Sequence, residues 1–187
     1  MAAVFVVSCA ALNPVCLALS PVALALASLY SFTKRFTWAC HFVLGAVIGL
    51  APVAGWLSVS PVFALPPILL GLGVVFWIAG FDILYSCQDK GFDENQGLHS
   101  MPVRFGLAGA MALSSFCHVN TVLFLLLTGL ACGLSVGWYA AILVAGGILW
   151  WEHRLISPDD LRNIRIAFAL NGPISILLFV GAFLGVL

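Results

Sequence analysis

Charge is what this sequence has least of. Among 187 residues only 7% are Asp, Glu, Lys or Arg, against 63% hydrophobic, and the mean hydropathy is +1.16. A soluble domain carries about 25% charged residues and cannot hide so much apolar surface, so a water-soluble fold is excluded. Residues 1–33 contain no Lys or Arg. That excludes the basic start of a secretory signal peptide, although Ala23-Leu24-Ala25 and Ala25-Leu26-Ala27 imitate a cleavage site inside a long apolar run. Seven basic and seven acidic residues cancel, leaving no basic field for nucleic acid and no acidic tail. The six cysteines stand singly at 9, 16, 40, 87, 117 and 132, without CxxC or Cys/His spacing. They exclude a zinc site and read as small apolar residues. There is no internal repeat and no low-complexity linker, and one domain over residues 1–187 is expected.

What is present is a series of apolar runs, at residues 15–32, 36–57, 62–85, 105–127, 138–151 and 166–187. Breaks separate them at Asn13-Pro14, Lys34-Arg35, residues 58–61, 88–104, 129–137 and 152–165. About 20 helical residues cross a bilayer core of about 30 Å, so most runs qualify as spans. The fifth is the shortest and spans only by borrowing from residues 129–137. Residues 1–12 are apolar but too short to span. The expected fold is all-α: a polytopic transmembrane helical bundle of about six full transmembrane helices and a partial N-terminal one. Small residues at Gly45/Gly49, Gly129/Gly133 and Gly181/Gly185 suit close helix packing.

The charges fall in only three places, residues 34–35, 82–104 and 152–165. Two apolar runs separate each cluster from the next, and two crossings return the chain to the same side. All seven Lys and Arg therefore share one face of the membrane, which the positive-inside rule makes cytoplasmic.

The chemistry-bearing pattern is Asp82-x-x-Tyr85-x-x-x-Asp89-x-x-x-Asp93. At about 100° per residue these positions form one helical stripe, with the three carboxylates within roughly 40° of each other. A carboxylate in an apolar helix costs about 2.5–3.5 kcal/mol, and three aligned ones repel. Such a stripe persists if something cationic occupies it, and oxygen-only ligands favour Mg²⁺ or Ca²⁺. Mg²⁺ held by one or two carboxylates usually carries a phosphate-bearing substrate as well. Lys90, His99 and Arg104 follow nearby, and Lys34-Arg35 lies on the same face; they read as diphosphate donors or as cytoplasmic anchors. His41 and His118 read as ordinary helix histidines.

The stripe, with Gly97-Leu98-His99-Ser100 and Arg104-Phe105-Gly106, resembles the second aspartate-rich motif of UbiA-type prenyltransferases. Tyr30-Ser31-Phe32-Thr33-Lys34-Arg35-Phe36-Thr37 is similar to that family's basic loop between its fourth and fifth helices. Ala167-Phe168-Ala169-Leu170-Asn171 with Leu178-Phe179-Val180-Gly181 is similar to its last helix. The resemblance covers essentially the whole chain, and 4-hydroxybenzoate polyprenyltransferases of quinone biosynthesis are the members it looks most like.

The resemblance implies Mg²⁺-dependent transfer of a polyprenyl group from a polyprenyl diphosphate to an aromatic acid acceptor within the lipid bilayer. It implies a bacterial cytoplasmic (inner) membrane, with the active site facing the cytoplasm. Asp82, Asp89 and Asp93 would be metal or diphosphate residues, and Asp82, Tyr85 and Asp89 the catalytic set. Lys34, Arg35, Lys90, His99 and Arg104 would contact diphosphate. Trp77, Phe81 and Asn171 would line the substrate cavity. The family's first motif, NDxxDxxxD, is absent, since no Asp or Glu precedes Asp82. The chain therefore looks like the C-terminal two-thirds of a nine-helix parent, and it is expected to be inactive as it stands. The competing readings are a naphthoate-type menaquinone precursor as acceptor, an ion or proton carrier, and a non-catalytic membrane protein.

Overall fold

A computed structural model describes all of residues 1–187 and contains only helices and their connections. The helices are α1 (Ala2–Leu12), α2 (Pro14–Thr33), α3 (Cys40–Val59), α4 (Leu65–Ser86), the short α5 (Lys90–Asn95), α6 (Met101–Cys132), α7 (Val136–Leu155) and α8 (Ile164–Val186). A single 3₁₀ turn, Cys87–Asp89, joins α4 to α5. The starts follow from local chemistry. Asn13 caps α2 through Oδ1, which accepts from the Cys16 N–H at 3.0 Å, and Pro14 fills the first helical position. The same Asn13 donates from Nδ2 to the Leu57 carbonyl at 2.8 Å, tying α2 to the far end of α3. Prolines also open α4 and α6. Gly133, at φ 64°, closes α6 in the left-handed conformation that glycine adopts without penalty.

The burial pattern is that of a membrane protein. Large apolar side chains such as Phe116, Val119, Leu143, Ile176, Phe179 and Phe183 face outward, while Ser20, Thr33, Ser86, Ser114, Thr121 and Thr128 lie inside. In water so large an apolar surface would aggregate; lipid solvates it. Most of the buried hydroxyls donate to carbonyls three or four residues back, such as Thr33 to Tyr30 at 2.7 Å and Thr121 to Cys117 at 3.1 Å. Ser114 instead crosses from α6 to the Gly80 carbonyl of α4 at 2.6 Å. His118 and His153 pair at 2.9 Å and, with Ser115, bridge α6 and α7.

Each long helix packs on its successor, and α4 reaches α8 as well as α3 and α6. Glycines mark close approaches between the helices. A Cβ on Gly45 would stand 2.4 Å from the Val75 carbonyl oxygen, and one on Gly71 2.7 Å from that of Gly49. Gly181 packs in the same way on Ala141. The expected close approaches at Gly45/Gly49 and Gly181/Gly185 are thus real contacts, whereas Gly133 serves as a helix cap.

Three expectations need adjustment. Five helices, rather than six, are long and apolar enough to cross a membrane. The exception is α7, whose 20 residues suffice in length but end in Glu152, His153 and Arg154. It borrows from the expected breaks on both sides of residues 138–151, starting at Val136 and ending at Leu155. The fourth run is longer than expected, and Gly106 (φ 71°, ψ 173°) interrupts it near its start. The first helix is short as expected, 11 residues or about 16 Å.

Candidate functional site

Three helix ends converge at the end of the bundle where the charges gather: the C-terminus of α2, the N-terminus of α3 and the C-terminus of α4. They enclose a polar cavity of about 190 Å³ lined by Tyr30, Ser31, Thr33, Lys34, Cys40, His41, Asp82, Tyr85, Ser86 and Asp89. The other charged connections reach the same end. The His99 N–H donates to the Lys34 carbonyl at 2.7 Å, and Glu152 of α7 borders a small void beside Phe81, Leu84 and Tyr85. One-sided charge, expected from spacing, is therefore a property of the folded chain.

Of the acidic stripe, Asp82, Tyr85 and Asp89 face the cavity. Asp93 does not. It is fully buried, with Oδ1 2.9 Å from Lys34 Nζ. The pair is held by charge, since neither Asp93 oxygen is aligned for a hydrogen bond. The stripe assumed one continuous α-helix; the 3₁₀ turn at Cys87–Asp89 is tighter and swings Asp93 away. No three His, Cys, Asp or Glu side chains converge as a metal-holding group, so Asp82, Asp89 and Asp93 do not make a three-carboxylate site.

The expected basic donors divide in the same way. Lys34 lines the cavity. Arg35 is exposed, its guanidinium 5.6 Å from the Phe32 ring centroid. Lys90 is paired with Glu94 within α5. His99 and Arg104 are exposed and outside the cavity lining.

Trp77, Phe81 and Asn171 form a wall rather than the polar cavity. The Trp77 indole N–H donates to Asn171 Oδ1 at 2.7 Å, joining α4 to α8. Phe168 meets Tyr85 at 4.6 Å and Phe81 at 5.5 Å between ring centroids. Phe81, Tyr85 and Asn171 border the void beside Glu152, only about 10 Å³ and so room for one water. Trp77 also lines a separate apolar hollow of about 280 Å³ with Leu70, Thr121, Trp138 and Leu178. Tyr85 thus stands between the polar cavity and an aromatic wall.

His41 belongs to the site, contrary to its reading as an ordinary helix histidine. Its Nδ1 is 2.6 Å from Asp82 Oδ2, and the side chain is only 2% exposed. The available signal was a polar side chain in the first turn of an apolar helix, six residues after Arg35. Tyr30, part of the expected basic loop, stands four residues before Lys34, which places both on one helix face toward the cavity.

Fold and site together define a polytopic helical membrane protein with one carboxylate-bearing polar pocket at its charged end. The UbiA prenyltransferase family model matches residues 1–179, and the chain belongs to that family. It is similar to 4-hydroxybenzoate octaprenyltransferases of Escherichia fergusonii and Salmonella newport. Each is 31% identical over 155 residues, which is 83% of this chain and 53% of the relative. The chain thus spans about half the length of the curated relatives it matches. Its structure is similar to that of an apo UbiA homolog from Aeropyrum pernix K1, with TM-score 0.88 and 29% identity, over 100% of this chain and 70% of that one.

Proposed function

We propose that this chain takes part in Mg²⁺-dependent transfer of a polyprenyl group from a polyprenyl diphosphate to a 4-hydroxybenzoate-like acceptor, and that residues 1–187 alone bind the diphosphate without completing transfer. The observation that carries the reading is the pocket in which Asp82, Asp89 and Lys34 meet at the charged end of a membrane bundle. The names of the curated relatives support the acceptor class.

The donor set fits one Mg²⁺, which Asp82 and Asp89 would hold. Both are hard oxygen ligands beside hydroxyls of Tyr30, Ser31 and Thr33, and such an ion takes its remaining ligands from water and phosphate. When bound, the ion neutralises charge on a departing diphosphate. Lys34 supplies a mobile ammonium to the outer phosphate oxygens, and Asp93 holds it at the pocket edge. Tyr85, backed by Phe168 and Phe81, presents aromatic faces toward an allylic cation and keeps water from it. Only one acidic motif exists in these residues, so a second set of carboxylates is needed for full neutralisation. The pocket faces the cytoplasm of a bacterial inner membrane, in line with the positive-inside rule.

Purified residues 1–187 in lipid nanodiscs test this with two readouts. Expected are Mg²⁺-dependent binding of a non-hydrolysable polyprenyl thiolodiphosphate, displaced by inorganic diphosphate, and no prenylated product from 4-hydroxybenzoate. Absence of binding would sink the functional reading; robust product would sink the claim that one acidic motif is insufficient.

A further inference from the structure

We infer that His41 is a positioning residue for Asp82, donating to its carboxylate from Nδ1. This deepens the diphosphate-site reading and rests on it for its functional consequence, but not for its geometry.

Both ring nitrogens of His41 are engaged, and their partners fix the tautomer. The backbone N–H of Met101 donates to Nε2 at 3.3 Å. A nitrogen that accepts carries a lone pair, so the ring proton is on Nδ1. Nδ1 lies 2.6 Å from Asp82 Oδ2 and therefore donates to it. The bond thus has a direction: α6 backbone to His41, then His41 to Asp82.

The surroundings hold this arrangement in place. His41, Gly45 and Gly49 lie at intervals of four on one face of α3, the face pressed against α4. Because the two glycines let the helices touch backbone to backbone, the His41 ring arrives at the level of Asp82. Cys40 Sγ approaches the His99 carbonyl at 3.6 Å, so the segment that supplies the Met101 N–H is anchored to the same turn. His41 is 2% exposed and Asp82 27%, so the imidazole forms the buried side of the carboxylate and the cavity its open side.

The consequence is that Oδ2 is held from behind while Oδ1 remains for a ligand in the pocket. Partners that orient a metal-binding side chain typically contribute about 10–100-fold in affinity. In this arrangement His41 sets the direction of Asp82.

Two measurements decide the matter. In ¹⁵N-imidazole NMR of the full chain in nanodiscs at neutral pH, with His41 assigned by its loss in His41→Asn, the expected pattern has a proton on Nδ1. An Nδ1 that carries no proton would overturn the proposal. In Mg²⁺-dependent binding of farnesyl thiolodiphosphate, His41→Asn places an amide donor near the former Nδ1 and is expected to stay close to wild type. His41→Gln places its amide at the Nε2 position and is expected to weaken binding about 10–100-fold. Equal affinities for the two variants would overturn the proposal. If wild type itself does not bind, the diphosphate reading fails, and the NMR result still decides the hydrogen bond.

Discussion

Lys34 Nζ and Asp93 Oδ1 are 2.9 Å apart, joining the end of α2 to α5, and Asp93 has no exposed surface while Lys34 keeps about a third of its own. Breaking a buried pair from one side leaves an uncompensated charge. Lys34→Met is expected to cost about 3 kcal/mol, the low end for such a break because Lys34 is partly solvated. Lys34→Met/Asp93→Asn is expected to regain most of this. Thermal unfolding in detergent, followed by circular dichroism, checks both; a double variant no more stable than Lys34→Met would show that the pair is not coupled.

The α3–α4 contact predicts a contrast between two glycines of one helix. Gly49→Leu meets the Val75 side chain and the Gly71 carbonyl, and is expected to lower both thermal stability and diphosphate binding by separating His41 from Asp82. Gly55 has nothing within 4 Å of an added Cβ. Gly55→Ala is therefore expected to stabilise the helix by about 0.5–1 kcal/mol and leave binding unchanged. Both are read by melting temperature and ligand titration.

Glu152 is fully buried, and neither carboxylate oxygen has a hydrogen-bond partner. A charge placed there is paid for in desolvation. Glu152→Gln keeps the shape without the charge and is expected to raise the melting temperature. A drop of several degrees would instead reveal an ionic partner for this group.

In the loop between α7 and α8, Arg162 donates from Nε and Nη2 to the two Asp160 oxygens at 2.9 and 2.6 Å, and its backbone N–H donates at 3.0 Å. These hydrogen bonds hold the Asp160 carboxyl well below its ordinary value, at about 2. A depressed folded value means that the pair supports the loop above the ordinary carboxylate range, near 3.8, and loses that support as pH falls through about 2. In an NMR titration of the carboxyl, Arg162→Gln is expected to return Asp160 upward toward the ordinary range.

Helix placement was legible because a membrane chain punctuates itself: Asn13-Pro14 and the three charged clusters mark real ends or connections. Asp82, Tyr85 and Asp89 were legible because a costly carboxylate in an apolar run stands out. What escaped the sequence depended on backbone detail or distant partners. A 3₁₀ turn at Cys87–Asp89 takes Asp93 out of the stripe and onto Lys34, and no residue type announces it. Gly106 breaks α6 where the hydropathy is continuous. His41 looks like His118 in sequence; its partner is the carboxylate of Asp82, whereas that of His118 is another imidazole, His153. Glu152, at the start of the expected break 152–165, faces inward because α7 continues to Leu155.

The most direct test of the proposed site is the Mg²⁺-dependence of prenyl thiolodiphosphate affinity in wild type, Asp82→Asn, Asp89→Asn and Asp93→Asn, titrated in nanodiscs with and without the ion. The expected result is that Asp82→Asn and Asp89→Asn each abolish the Mg²⁺-dependent part, whereas Asp93→Asn preserves it. Unchanged Mg²⁺-dependent binding in Asp82→Asn and Asp89→Asn would contradict the assignment of this pocket.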